Sequence, residues 1–221
     1  EGYNTSLCLT EVSPPDRFPQ VFYRRQAADT RVEVGPAERA YIQQARLFVT
    51  NGTSLAASPA REAGLRTVLD VDYRQSSWPS PEEAGCQARA ALPWVDVVVG
   101  NQEELLLLTG KDDPSAQVEE VLATNVTLLV RKLGAKGVEA HTRTESFSAA
   151  PIPVPVKSTI GAGDGFAAGF LYALHRGLPL AECLAHGNAA AAVVVSRVSC
   201  SDAMPRREEL EEFLRTTSEK Q

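Results

Sequence analysis

From Pro36 onward the sequence alternates short apolar strands with helical segments, and that alternation limits the fold more than any other feature. A helix is expected over Pro36 to Gln44, then strands over Leu47 to Thr50 and Thr67 to Asp72, a helix over Pro81 to Leu92 and a strand over Val95 to Gly100. Helices over Gln102 to Thr109 and Pro114 to Ala123 lead to a strand over Thr127 to Leu133. Across the turn Gly134-Ala135-Lys136 follows a strand over Gly137 to His141. After the irregular stretch Pro151 to Pro155, three helices close the chain: Gly163 to His175, Leu180 to Val195 and Pro205 to Arg215. Strands that are apolar on both faces must be covered on both faces, so the fold class is α/β, a mainly parallel sheet flanked by helices.

Ahead of this region, Ser6 to Val12 alternates in strand fashion, Ser13-Pro14-Pro15-Asp16 makes a turn, and Gln20 to Tyr23 returns as a second strand. One crossover is short. Between Leu47 and Thr67, only Ser58 to Gly64 starts a helix, of barely two turns, where a parallel crossover takes about a dozen residues. Residues are therefore expected to be missing near Ala63 to Leu65. The chain also opens on Glu1 in what reads as mid-domain, and its one methionine is Met204, so an earlier segment is expected to have been removed or not recorded.

Composition excludes several function classes. With 221 residues, 43% hydrophobic and 23% charged, the chain can bury a sizeable core and is not globally disordered. Its 22 basic and 28 acidic residues give a net charge of -6, which supplies no basic surface for nucleic-acid phosphates. An uncharged apolar run such as Gly187 to Ser196 is about half of the ~20 residues that a membrane-spanning helix needs. Cys8, Cys86, Cys183 and Cys200 form no C-x-x-C pair and have no metal-ligand spacing with the histidines, which reads as reduced thiols in a cytoplasmic protein. On that reading the sequons at Asn4, Asn51 and Asn125 are chance matches.

The most specific chemistry lies in Gly161-Ala162-Gly163-Asp164-Gly165-Phe166, which follows a polar loop and opens a helix of small residues. Two glycines let successive backbone N–H groups curve into a concave nest, and the helix adds its positive end, which together make an anion site. Asp164 in the first turn is placed to accept a proton from a hydroxyl attacking a phosphorus held over that nest. The small residues also suit close helix packing, but packing does not require an acid between two glycines. No dinucleotide fingerprint fits, since Phe166 stands where glycine is needed, and no G-x-x-x-x-G-K-[ST] loop is present.

These residues resemble the ribokinase-like, or PfkB, carbohydrate kinases, whose carboxy-terminal signature is a G-A-G-D loop with an aspartate base. The resemblance runs from Ser6 to Phe213. It implies that Gly161, Ala162 and Gly163 form the anion hole and that Asp164 is the catalytic base. Asn101 and Glu104 match the family's N-x-x-E element, which orders magnesium and its waters. An N-cap with an acidic first turn is the plain alternative, and both readings can hold. Leu133 to Gly137 matches the strand-turn-strand along the nucleotide, giving Lys132, Gly134 and Gly137 as nucleotide-binding residues, with Asn188 on the helix lining the adenine pocket. ATP and Mg2+ are the implied cofactors.

Two further segments resemble the branch that phosphorylates keto-deoxy sugar acids. Asp70-Val71-Asp72-Tyr73-Arg74 before Trp78 makes Asp72 and Arg74 candidate substrate ligands, the arginine as a bidentate clamp on an acidic oxygen. Phe22 to Asp29 adds Tyr23 and Arg24, and the ending Ser199 to Pro205 is similar as well. The implied substrate is 5-dehydro-2-deoxy-D-gluconate, with 2-keto-3-deoxygluconate, another sugar, or noncatalytic nucleotide or sugar binding as alternatives. The expected partner is thus a small-molecule sugar or sugar acid, with homo-oligomerisation left open. On this reading residues 1–35 are a small β lid with the entry to the sheet, and 36–221 are the nucleotide-binding and catalytic domain. Ser158 stands where many relatives carry an aspartate that helps to hold a monovalent cation, so activation by such a cation does not carry over.

Overall fold

The structure, a computed structural model, describes residues 4–5, 7–10, 20–23, 27–28, 35–52 and 66–218. Eight strands and seven helices occur among them. The strands are β1 (Leu7–Thr10), β2 (Gln20–Tyr23), β3 (Leu47–Asn51), β4 (Arg66–Asp70), β5 (Val97–Asn101), β6 (Leu128–Lys132), β7 (Val138–His141) and β8 (Ser146–Ala149). The helices are α1 (Pro36–Ile42), α2 (Pro81–Ala91), α3 (Gln102–Thr109), α4 (Pro114–Leu122), α5 (Ala162–His175), α6 (Leu180–Val195) and α7 (Arg207–Ser218). β1 and β2 pair in a small sheet of their own, and the other six strands run in the order β3-β4-β5-β6-β7-β8. The turn at Ser13 to Asp16, the short helix at Ser58 to Gly64 and the suspected gap near Ala63 lie outside the described residues.

The chain divides into two compact units, the first containing Val21–Arg131 and His141–Glu145, the second containing Lys132–Ala140 and Ser146–Gln221. In the first unit β3, β4 and β5 are parallel, with Leu69 opposite Thr50 and Val98. Leu69, Val98 and Leu129 point to one face, where they meet Ala88 of α2, Leu105 and Leu108 of α3, and Val121 and Leu122 of α4. Val68, Val97 and Val99 on the opposite face are equally buried, as apolar parallel strands demand. Caps fix where the helices start. Ser80 accepts from the Glu83 N–H at 3.2 Å and Asp113 from the Ala116 N–H at 2.8 Å, each followed by proline at the first helical position.

In the second unit α5 and α6 lie against each other at backbone distance. A Cβ on Gly169 would come 2.4 Å from the His186 carbonyl oxygen, and one on Gly187 would come 2.5 Å from the Phe166 ring. The helices turn at Gly177, whose φ of 74° lets its N–H reach back to the Leu174 carbonyl at 3.0 Å. A second cluster joins Ala189, Ala190 and Leu210 to Ile152, Phe213 and Leu214, which seats α7.

Four local departures from expectation stand out. β4 stops at Asp70 because Asp72 takes a positive φ of 35°, which no strand tolerates. β5 starts only at Val97, since Pro93 sits in a 310 turn over Leu92–Trp94. β8 was not expected at all: Ser146–Ala149 is short and half polar, and it alternates exposed and half-buried residues. The last helix starts at Arg207 rather than Pro205, after a 310 turn over Ser201–Ala203.

Candidate active site

In the first unit, β5 runs directly into α3, and the junction is a reciprocal cap. The Asn101 side chain accepts from the Glu104 N–H at 2.9 Å, while Glu104 Oε2 accepts from the Asn101 N–H at 2.7 Å. Glu104 is only 4% exposed, and its other oxygen, Oε1, accepts from the Tyr73 N–H at 3.3 Å. This last bond was not legible in the sequence. It joins two elements read separately, the cap at Asn101 and the strand end that carries Asp72 and Arg74.

Asp72 holds Arg74 in an ion pair at 2.8 Å. The pair is partly exposed and by itself adds little stability. Its backbone is the more informative part, because Asp72 is the one non-glycine residue with positive φ among the described residues, a conformation retained at a cost of about 1 kcal/mol or more. Immediately beside it, a Cβ on Gly52 would fall 1.9 Å from the Val71 carbonyl, so only glycine fits there. Tyr23 closes β2 with its ring exposed, and Arg24 lies outside the described residues.

In the second unit, Gly161 takes φ 77° and ψ 0° as the residue before α5, and Asp164 occupies the first turn with its side chain exposed. The left-handed glycine sets the bend at the positive end of a 14-residue helix, where the Ala162 N–H donates to the Thr159 carbonyl at 3.2 Å. Lys132, at the end of β6, brings its ammonium to 3.6 Å from where a Cβ on Gly163 would stand. Helix end and cation therefore converge, and together they suit a polyanionic group such as a phosphate.

The turn that joins β6 to β7 is a closed 310 turn over Gly134–Lys136. The Leu133 N–H donates to the Gly137 carbonyl at 2.8 Å, and Gly134 and Gly137 both have positive φ, 58° and 92°. A Cβ on Gly137 would lie 2.2 Å from the Ala149 carbonyl oxygen. Asn188, 9% exposed on α6, donates its amide to that same carbonyl at 3.2 Å and to the Ala150 carbonyl at 2.8 Å. The asparagine thus anchors the chain on which the glycine turn rests. Ala149 was missed in the sequence because its contribution is a backbone oxygen, which no side-chain motif announces.

Ser158 is buried, and its hydroxyl accepts from the Ile160 N–H at 3.2 Å. No group of three or more His, Cys, Asp or Glu side chains among the described residues is arranged to hold a metal ion directly. Nor is any helix among them long and apolar enough to cross a membrane.

The sequence profile of the pfkB family carbohydrate kinases matches residues 1–207. The chain belongs to this family. As a pfkB carbohydrate kinase it is 34% identical over 229 residues to 5-dehydro-2-deoxygluconokinase from Geobacillus thermodenitrificans (strain NG80-2), covering 96% of this chain and 68% of that one. Two solved structures share the fold of this kinase. Fructokinase from Vibrio cholerae O395 superposes with a TM-score of 0.83 at 24% identity, covering 96% of this chain and 74% of the other. Ribokinase from Thermotoga maritima gives 0.76 at 21% identity, with 96% and 70% covered. The fold of the kinase is accordingly ribokinase-like.

Proposed function

We propose that this carbohydrate kinase transfers the γ-phosphoryl group of ATP to the terminal hydroxyl of a keto-deoxy sugar acid, 5-dehydro-2-deoxy-D-gluconate first and 2-keto-3-deoxygluconate second. The observation that carries the phosphoryl-transfer reading is the left-handed Gly161 opening α5, with Asp164 in the first turn and the Lys132 ammonium beside Gly163. The substrate class is supported by relatives named 5-dehydro-2-deoxygluconokinase and by the Asp72–Arg74 pair at a strained strand end. Carboxyl ends of strands are where open α/β sheets hold ligands.

In this mechanism Asp164 takes the proton of the sugar hydroxyl as its oxygen bonds to the γ-phosphorus. The bond from that phosphorus to the β,γ-bridging oxygen breaks, and ADP leaves. The positive helix end at 161–163 and the Lys132 ammonium neutralise the charge on the transferring oxygens, which is the main catalytic task in phosphoryl transfer. The turn at 134–137, fixed through Asn188, lies along the nucleotide. Asn101 and Glu104 would order Mg2+ through waters, and the bound ion would offset phosphate charge. Arg74 receives the substrate carboxylate, with Asp72 holding the guanidinium in register. Tyr23 and Arg24 complete the sugar contacts.

A panel of sugars assayed for ADP release tests the substrate. Turnover should favour the two keto-deoxy acids, and Arg74→Met should raise their KM about tenfold or more, as loss of a charged hydrogen-bond pair implies. Preference for a neutral hexose over both acids removes the carboxylate role of Arg74, and the absence of ADP release with every sugar favours a noncatalytic binding protein. On the nucleotide side, Asn188→Ala removes the amide that holds the Ala149 and Ala150 carbonyls, at a cost of about 0.5–1.5 kcal/mol for each bond. It should raise KM for ATP more than KM for the sugar, read by varying each substrate in turn.

A further inference from the structure

We propose that Arg197 is a positioning residue for the phosphate nest, holding residues 200–204 against Gly161. The inference rests on the reading of Gly161 to Gly163 as the phosphate site. Arg197 follows α6 and reaches two ways. Its Nη1 donates to the Ala203 carbonyl at 3.2 Å and to Glu209 Oε2 at 3.4 Å, while Nη2 bonds Glu209 Oε1. Side chains at 38% and 41% exposure gain little from ion pairing alone, so the pair is not explained by stability.

What the guanidinium holds is more telling. Ala203 is buried and ends the 310 turn over Ser201–Ala203, which is closed by the Met204 N–H donating to the Ser201 carbonyl at 3.2 Å. The two side chains at the ends of this segment cover Gly161. A Cβ there would lie 3.1 Å from Cys200 Sγ and 3.3 Å from Met204 Cε. The approach to the nest is tied to the same place from the other side, since the Lys157 and Ser158 N–H groups donate to the Val195 carbonyl at 2.7 and 3.2 Å. Both flanks of the nest therefore hang from the end of α6, one on Val195 and the other on Arg197. A nest that must meet a phosphoryl group to within a fraction of an ångström depends on such supports.

Three variants test this: Arg197→Met, Arg197→Lys, and Arg176→Met as a control that breaks a similarly exposed contact to Glu211. Arg197→Met should lower kcat about tenfold to a hundredfold, the loss that a small misplacement produces. The sugar KM should stay within about twofold, since the acceptor contacts lie elsewhere. Amides 161–163 should exchange with deuterium faster than in the wild type. Arg197→Lys, whose ammonium can still donate to the Ala203 carbonyl, should regain part of the rate, and Arg176→Met should leave kcat unchanged. Unaltered exchange at 161–163 in Arg197→Met overturns the proposal whatever the activity, as does an equal loss of kcat in Arg176→Met. Faster exchange in a protein that releases no ADP with any sugar upholds the positioning role and removes the kinase reading instead.

Discussion

Replacing Asp164 by Asn should lower turnover by about 100- to 10,000-fold while ATP binding is kept, the range expected when a general base is removed. Asparagine has the same shape but cannot accept the proton that the attacking hydroxyl must lose. The nest itself does not depend on the carboxylate, because the bend is set by Gly161 at φ 77° and the first turn is closed by the Gly165 N–H donating to the Gly161 carbonyl at 2.8 Å. Loss of an acid from a helix's first turn costs stability of about 0.3–1 kcal/mol, too little to unfold the protein. Steady-state ADP release and calorimetric titration with ATP check the two halves of the expectation. Retained turnover would remove Asp164 as the base, and loss of ATP binding together with turnover would show that the residue serves the shape of the site.

The largest effect on stability is expected from Gly169→Ala. Helix propensity alone predicts a gain of about 1 kcal/mol, since alanine is the better helix former. Packing predicts the opposite. The new methyl carbon would lie 2.4 Å from the His186 carbonyl oxygen and 2.8 Å from the Ala190 Cβ, far inside contact distance and against backbone that cannot rotate away. α5 and α6 would have to separate, an overpacking cost of about 1–3 kcal/mol or more. Set against the propensity gain this leaves a net loss of up to about 2 kcal/mol, which lowers Tm by up to about 8 °C in a protein of this size, read by thermal denaturation. A rise in Tm would show that the two helices do not meet so closely. Ala168→Ser, one position earlier on the exposed side of α5, should change Tm by less than about 2 °C, as surface substitutions do.

Much of this was legible because it rests on patterns that local chemistry enforces. Apolar runs such as Val97–Asn101 have to be strands covered on both faces, and a Pro after a Ser or Asp marks where α2 and α4 begin. Gly161 to Asp164 combines glycines, a helix start and an acid in one short stretch, so the bend and the helix start could be read without coordinates. β8 was not readable, because four residues of which two are serine have no signal of their own and form a strand only through tertiary pairing. The strain at Asp72 was equally hidden, since aspartate gives no sign of its φ. The bond from the Tyr73 N–H to Glu104 spans thirty-one positions and depends on backbone geometry that no motif contains.

The Ala149 carbonyl also has a consequence for the order of events as the chain is made. Gly137 packs against that oxygen, and Asn188 donates to it from α6, so the turn at 134–137 is supported by residues that emerge from the ribosome well after it does. A nascent chain that ends before Asn188 contains both glycines of the turn and lacks the donor that fixes their support. Contacts this distant in sequence form late, after the intervening loop has closed. The support of that turn is thus completed only when α6 docks, which makes the emergence of the helix the step at which the growing polypeptide can first hold residues 134–137 in their final shape.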